Sequence, residues 1–117
     1  MREVKYRGRM KTSFLNDRQV RPIEYSRWVD AVRHFGRHER DRVKVEELKA
    51  SIREKGLLKP ILLGVSARYP EDVYVGDGHH RAVALMALGV ESFDFYWYWI
   101  KSFGVRMERD PFPFHLL

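Results

Sequence analysis

The 117-residue sequence contains no cysteine, which excludes disulfide bonds, thiolate metal sites and a cysteine nucleophile. It has no apolar run of membrane-spanning length, because the apolar stretch over residues 93–100 is short and includes Asp94. The N-terminus is too charged for a signal peptide. We therefore expect a cytoplasmic protein without membrane association. A hydrophobic content of 44% is sufficient for the core of one domain over residues 1–117.

Negative charge is scarce in the first third of the chain. Residues 1–45 contain 13 lysines and arginines against 6 acidic residues, whereas residues 46–117 contain 9 against 10. A basic surface is typical of proteins that contact phosphate in nucleotides or nucleic acids, and a solvated surface without a partner is the alternative. We expect residues 1–21 to form a basic arm whose nucleic-acid contacts come from Arg2, Arg7, Arg9 and Lys11.

The apolar spacing predicts a small α/β or α+β domain. Residues 1–21 have no clear period and are predicted to be an extended arm or an edge strand. Ser26 is a candidate N-cap for a first helix that ends near Gly36 and carries the apolar positions Trp28, Val29, Val32 and Phe35. The later elements are predicted to be a helix over 43–56, strands over 61–65 and 73–76, a helix from 79 to 89 and a strand over 93–100.

The last strand is unusually aromatic. Phe93, Phe95, Trp97 and Trp99 alternate with Asp94, Tyr96, Tyr98 and Ile100. We expect both faces of this strand to be covered, with base stacking on the aromatic rings as the alternative. The proline- and phenylalanine-rich tail, residues 110–117, cannot form a regular helix or a central strand. It is expected to cover an apolar edge of its own domain, or else to dock on a partner.

The stretch VGDGHHRAVAL, residues 75–85, predicts an anion site. A turn at Gly76 and Gly78 between a strand and a helix directs unpaired backbone N–H groups outward, and glycines allow a ligand to approach closely. Arg81 can donate several hydrogen bonds to phosphate oxygens. Asp77 is expected to cap the helix, to hold a Mg²⁺ that bridges to phosphate, or to orient a histidine.

The alternative is a capped structural turn with two surface histidines, His79 and His80. His34 and His38 are also four residues apart and could share a helix face as metal ligands, but no third ligand is evident.

Residues 43–100 resemble the ParB/sulfiredoxin superfamily. The resemblance rests on a helix that ends in glycine-x-x-x-proline, a strand pair, and a glycine-rich turn that opens the next helix; its landmarks are Gly56, Pro60, Gly76, Arg81 and Ala82. It implies a short mixed sheet with flanking helices. It also implies binding of nucleotide phosphates, for which the candidate residues are Gly56, Pro60, Gly76, Gly78, His80 and Arg81.

Two branches of this superfamily differ from the sequence. Sulfiredoxins need a cysteine two residues before the arginine, where this chain has His79. Partition-type ParB proteins bind CTP and carry glycine-glutamate-arginine-arginine at the turn and glutamine before the proline, where this chain has GDGHHR and Lys59. The 117 residues also leave no room for their helix-turn-helix and dimerisation domains. The resemblance therefore favours the short ParB-like nuclease-domain proteins, often encoded by phages or plasmids.

A third branch, the free serine kinases, is similar at the Asp-Gly-His-His-Arg turn and at His38-Glu39. The resemblance implies Glu39 as the catalytic base, with Asp77 and His79 acting on a metal-bound phosphoryl group supplied by ATP or ADP with Mg²⁺. The structural alternative for Glu39 is an ion pair with the arginines around it. The first interpretation is thus a DNA-associated, nucleotide-binding ParB-like domain. The alternative is a phosphotransferase, and the second alternative is a catalytically silent interaction module. A nucleotide, DNA and a second copy of the chain are the expected partners.

Overall fold

The computed structural model of the protein describes residues 6–66, 71–100, 106–107 and 112–117. Arg2 of the predicted basic arm and Pro111 of the tail lie outside these residues.

A mixed β-sheet forms the centre of the fold. Its strands are β1 (Tyr6–Lys11), β2 (Val20–Pro22), β3 (Ile61–Ser66), β4 (Val73–Asp77), β5 (Ser92–Ile100) and β6 (Arg106–Met107). The strand order is β1-β5-β3-β4-β2, and β6 also pairs with β5. β5 is antiparallel to β1 and parallel to β3, whereas β4 is antiparallel to β3 and parallel to β2. β1 lies at one end of this order, so within the region predicted to be an arm or an edge strand, residues 6–11 form an edge strand.

Three helices complete the described fold: α1 (Trp28–Arg37), α2 (Glu39–Lys55) and α3 (His79–Leu88). α2 begins at Glu39, four residues before the predicted start at residue 43, so that only His38 separates it from α1. α2 ends as the sequence predicts, at Gly56, which adopts a φ of 74°. None of these helices, within the described ranges, is long and apolar enough to cross a membrane.

α1 buries a different face from the predicted one. Its buried residues are Trp28, Ala31 and Phe35. Val29 and Val32 are exposed, although the sequence predicts them in the core. The large indole of Trp28 fixes the orientation, because its Nε1 donates a hydrogen bond to the carbonyl of Val20 at 2.9 Å.

The prediction that Ser26 caps α1 is also wrong. The N-cap residue is Arg27, and its side chain makes no capping hydrogen bond. Instead, Oδ1 of Asp17 accepts a hydrogen bond from the backbone N–H of Trp28 at 2.7 Å. A carboxylate near a helix N-terminus is electrostatically favourable, so a residue distant in the sequence supplies the cap.

β5 buries one face, which we call the inner face of the sheet. Its residues on this face are Phe93, Phe95, Trp97 and Trp99. On the opposite, outer face Asp94 is exposed, and Tyr96 and Tyr98 are half-buried. The prediction that both faces of β5 are covered is therefore right for the inner face and wrong for the outer face. Because Trp97 and Trp99 are buried in the core, they cannot stack nucleobases.

α3 and the tail pack on the core. Ala82, Ala84 and Leu85 of α3 are almost completely buried, which is possible because two of them are small. Phe112 of the tail packs edge-on against Phe95 and Trp97, with ring centroids 5.0 and 5.2 Å away. Phe112 thus covers the core of its own domain, as expected.

Candidate functional site

The turn that the sequence predicts to bind an anion lies where β4 meets α3. β4 extends to Asp77, and Gly78 is the N-cap of α3 with a φ of 107°, in the left-handed region that favours glycine. The first intrahelical hydrogen bond runs from the N–H of Ala82 to the carbonyl of Gly78, so the preceding N–H groups lie at the open end of the helix. Asp77 makes no capping hydrogen bond, and its predicted role as a helix cap is wrong.

Arg81 folds back over this turn. A Cβ atom at position 78 would lie 2.8 Å from Nη2 and 2.9 Å from Nε of Arg81, so only glycine leaves room for the guanidinium. Nη2 is 3.6 Å from the exposed carboxylate of Asp77. Arg81 is only 9% exposed, and its Nε has no hydrogen-bond partner. A buried guanidinium with an unpaired donor is costly, and an anionic ligand would satisfy it.

His79 is a buried residue rather than the surface histidine of the structural alternative. It is 5% exposed, and its Nε2 accepts a hydrogen bond from the backbone N–H of Ile23 at 3.1 Å. Burial lowers the pKa of His79, against a smaller opposing effect of Glu24. Because Nε2 is the acceptor, the neutral ring carries its proton on Nδ1.

His80 is held by the helices on either side. Its Nε2 donates to Oδ1 of Asp41 at 2.9 Å, and its ring stacks on Phe35 with centroids 4.1 Å apart. This hydrogen bond lowers the pKa of Asp41. Oδ2 of Asp41 also lies 3.8 Å from Nε2 of His34. Asp41 therefore joins the start of α2 to the start of α3 and fixes the His80 ring beside the turn.

A pocket of about 450 Å³ opens on this turn. Six of the residues that line it are the predicted ones, Gly76, Asp77, Gly78, His79, His80 and Arg81. Glu24, Lys44 and Lys59 also line the pocket, although the sequence does not mark them as site residues. Lys44 and Lys59 are distant in sequence from the turn, so no local pattern places them there.

The other predicted site residues lie elsewhere. Glu39 is exposed at the first position of α2 and is not among the residues that line the pocket. Gly56 ends α2, and Pro60 lines a separate groove beside β1. Arg7 and Arg9 also lie along that groove.

No cluster of three histidine or acidic side chains able to hold a metal ion occurs among the described residues. The rings of His34 and His38 are close, with centroids 4.3 Å apart. The metal site considered for these two histidines therefore lacks the ligand number that a structural metal needs.

Comparison with known proteins agrees with the fold. The family model of the ParB N-terminal domain matches residues 10–97. A search of curated protein sequences gives no match.

Two solved structures are similar. A Pnob8-like ParB-N domain is 18% identical with a TM-score of 0.54, and the match covers 87% of this chain and 33% of that one. The C-terminally truncated chromosome-partitioning protein ParB from Caulobacter crescentus, complexed with CTP-gamma-S, is 22% identical with a TM-score of 0.53; the match covers 85% of this chain and 47% of that one. This chain thus spans a third to a half of the proteins that it matches.

The family match covers most of the sequence, and the two structures share the fold. Both the predicted resemblance and the predicted fold class are confirmed. The chain belongs to the ParB N-terminal domain family.

Proposed function

We propose that this chain binds the phosphate groups of a nucleotide at the turn between β4 and α3, as part of a ParB-like, DNA-associated system. The observation that carries the proposal is the buried guanidinium of Arg81, a residue that lines the pocket at the start of α3 and whose Nε has no partner. Phosphate oxygens would accept from this group and from the N–H groups at the helix N-terminus.

The charges around the pocket support an anionic ligand. Lys44 and Lys59 are exposed side chains at its wall, and with Arg81 they provide three positive charges. Two carboxylates, Glu24 and Asp77, also line the pocket. A bare phosphate would be repelled by Asp77, so the proposal includes a cation that neutralises this repulsion.

Mg²⁺ fits this requirement. It is commonly held by one or two carboxylates together with substrate phosphates, rather than by a cage of protein ligands. Asp77 is the residue that would hold it, because its carboxylate is exposed at the turn. The metal would neutralise phosphate charge, while Arg81 and the two lysines orient the phosphates.

The base of the bound nucleotide is proposed to be either cytosine or adenine. CTP is the first candidate, because the related partitioning protein was solved with CTP-gamma-S. ATP and ADP are the competing candidates, because the Asp-Gly-His-His-Arg turn resembles that of the free serine kinases. The base is therefore to be identified by direct comparison of nucleotides.

A thermal-shift panel of CTP, ATP, ADP and GTP, each with and without Mg²⁺, tests the proposal. A ligand at 100 times its dissociation constant adds about 2.7 kcal/mol of stability, which corresponds to a rise in Tm of roughly 10 °C for a domain of this size. We expect such a rise with at least one triphosphate and Mg²⁺. No shift with any nucleotide at millimolar concentration would overturn the proposal.

Variants locate the site. Arg81→Lys is expected to reduce the nucleotide-induced rise in Tm. Because Arg81 is buried, however, this substitution can also affect folding. The exposed pair Lys44→Gln/Lys59→Gln avoids this difficulty and is expected to reduce the shift. The matched control is Arg53→Gln/Lys55→Gln, which removes two exposed charges at the end of α2 that do not line the pocket. Equal shifts in the two double variants would mean that the nucleotide binds elsewhere.

Phosphoryl transfer is the second candidate, and one observation favours it: Glu24 places a carboxylate in the same pocket as Asp77 and His80. Glu24 could therefore accept the proton of a substrate hydroxyl, the role predicted for Glu39. ATP turnover with small hydroxyl substrates tests this function. Glu24→Gln is expected to abolish turnover while nucleotide binding persists. Loss of turnover in Glu39→Gln alone would instead assign the base to Glu39, and no turnover in the wild type would remove this candidate.

A further inference from the structure

The outer face of the sheet carries three tyrosines from neighbouring strands. Tyr74 of β4 and Tyr98 of β5 pair with opposite sides of Gly64 of β3, and Tyr96 lies two positions before Tyr98 on the same face. All three are half-buried. The outer face thus presents aromatic rings, while the tryptophans of β5 lie in the core on the inner face.

Two glycines give these rings their positions. A Cβ atom on Gly64 would lie 2.7 Å from Cε2 of Tyr74, so the ring lies across the place that a side chain of β3 would occupy. A Cβ atom on Gly76 would lie 3.3 Å from the hydroxyl of Tyr98. Burial raises the pKa of both Tyr74 and Tyr98, in agreement with rings that lie against the sheet.

Positive charge borders this aromatic surface on β1. Arg7, Arg9 and Lys11 are exposed and point to the outer face, opposite Tyr96, Asp94 and Ser92 respectively. The guanidinium of Arg7 lies 5.0 Å from the centroid of the Tyr96 ring and donates a hydrogen bond to its hydroxyl. The Arg7 guanidinium therefore lies over the Tyr96 ring, so a base would stack on the planar guanidinium that this ring supports, and the same group provides a charge for phosphate.

An open groove of about 570 Å³ continues from this surface. Its walls include Arg7 and Tyr96 on one side and Leu57, Leu58 and Pro60 on the other. Leu58 is 69% exposed, although it is apolar. The groove shares no lining residue with the pocket at the start of α3, so the two are separate sites among the described residues.

We propose that the outer face, from Arg7 and Arg9 across Tyr96 to Tyr98 and Tyr74, binds single-stranded nucleic acid. Aromatic rings combined with a basic border are the combination that stacks unpaired bases and tracks a phosphate backbone. In a duplex each base is already stacked on its neighbours and paired. The tyrosine rings, which lie against the sheet, therefore cannot contact the faces of duplex bases. The proposal deepens the DNA association of the proposed function, but its basic border and groove share no lining residue with the nucleotide pocket, and either can fail without the other.

A fluorescent oligothymidylate of about 15 nucleotides, followed by anisotropy over a series of salt concentrations, is the first test. We expect binding that weakens steeply with salt. The double variant Arg7→Gln/Arg9→Gln should bind more weakly and should reduce the slope of log K against log salt by about 1.4, because each phosphate that an arginine neutralises contributes about 0.7. The control Arg33→Gln/Arg53→Gln removes the same charge from α1 and α2. No binding at low salt, or an equal loss in the control, would overturn the proposal.

Substitution of Tyr96 tests the stacking separately from the charge. Stacking of one base on an aromatic side chain corresponds to roughly 5- to 150-fold in affinity, so Tyr96→Leu should weaken binding within this range, whereas Tyr96→Phe keeps the ring and should bind nearly as the wild type does. The Tm of both variants shows whether they fold. A folded Tyr96→Leu variant with wild-type affinity would overturn the proposal.

Competition separates this surface from the nucleotide pocket. Saturating CTP or ATP with Mg²⁺ should not displace the oligothymidylate, and Lys44→Gln/Lys59→Gln should bind it as the wild type does. Displacement by nucleotide, or tighter binding of a duplex of the same length, would mean that the outer face is not a single-strand surface. If the oligothymidylate binds while no nucleotide shifts the Tm, the proposed nucleotide function fails and the outer-face proposal remains.

Discussion

The backbone N–H of Ile23 donates a hydrogen bond to Nε2 of His79, which links the segment after β2 to the first residue of α3. The imidazole must be neutral at Nε2 to accept this bond, and its burial disfavours a proton as well. His79 therefore acts as a neutral structural acceptor in the lining of the pocket, and its charge state bears on stability.

The stability of the protein should depend on the protonation of His79. Burial lowers the pKa of His79 in the folded state, so between that value and the unfolded pKa of about 6.5 the unfolded chain binds more protons. This contribution to stability is present above about pH 6.5 and is lost as the pH falls toward the folded-state pKa. Urea unfolding at about pH 7.5 and about pH 5.5, on either side of the unfolded pKa, should show the decrease. The His79→Gln variant retains a hydrogen-bond acceptor for the backbone N–H of Ile23 and should show a smaller decrease in the free energy of unfolding.

The exposed His115 provides the control for this experiment. His115→Gln should leave the pH dependence unchanged. If His79→Gln and the wild type lose the same stability between the two pH values, the protonation of His79 does not control this part of the curve.

Gly78 should be sensitive to alanine substitution. Its φ of 107° is unfavourable for any residue with a Cβ, and that Cβ would lie 2.8–2.9 Å from two nitrogens of the Arg81 guanidinium. We expect Gly78→Ala to lower the free energy of unfolding by roughly 1–3 kcal/mol, as measured by urea denaturation. Gly36→Ala is the matched control, because Gly36 lies inside α1 with open space around it. It should stabilise by about 0.5–1 kcal/mol, and a neutral Gly78→Ala would contradict the geometry of the turn.

The cap of α1 gives a direct comparison between a predicted and an observed residue. Asp17→Ala removes the carboxylate that accepts from the N–H of Trp28, and should cost about 1 kcal/mol in the free energy of unfolding. Ser26→Ala should cost close to nothing, because the helix is not capped by Ser26. Chemical denaturation of the two variants measures the difference, and a larger loss in Ser26→Ala would restore the predicted cap.

Local patterns predict local features of this chain well. The alternation of β5 predicts a strand whose two faces carry different side chains, because a strand places alternate side chains on opposite faces. The same pattern does not show that only one of these faces is buried. Gly56 ends α2 as predicted, since tolerance of a positive φ is a property of the residue itself. The strand and the helix on either side of the Gly76–Gly78 turn are likewise found as predicted, because this unit is built from consecutive residues.

Features that depend on the tertiary fold are not predicted. Spacing alone cannot distinguish Ala31 from Val32 as the buried side of α1, because both fit a helical stripe. The partner of the Trp28 N–H comes from Asp17, and Lys44 and Lys59 reach the pocket from other parts of the chain. Each of these features joins residues far apart in sequence, so no window of a single helix or strand contains the information.

Gly64 should be essential for the arrangement of the outer face. It is buried in the middle of β3, and a methyl group there would lie 2.7–2.9 Å from atoms of the Tyr74 ring and hydroxyl. Gly64→Ala is therefore expected to move the Tyr74 ring and to lower the free energy of unfolding by roughly 1–3 kcal/mol. Urea denaturation measures the loss.

A double-mutant cycle attributes this loss to the ring. In a Tyr74→Ala background no ring remains for the new methyl group to displace, so Gly64→Ala should cost less there than in the wild type, with a coupling of at least about 0.5 kcal/mol. Equal costs in the two backgrounds would mean that the penalty comes from the β3 backbone and not from Tyr74. In a central strand an alanine would normally be more favourable than a glycine. A positive coupling would therefore establish that position 64 requires glycine because the Tyr74 ring lies over it.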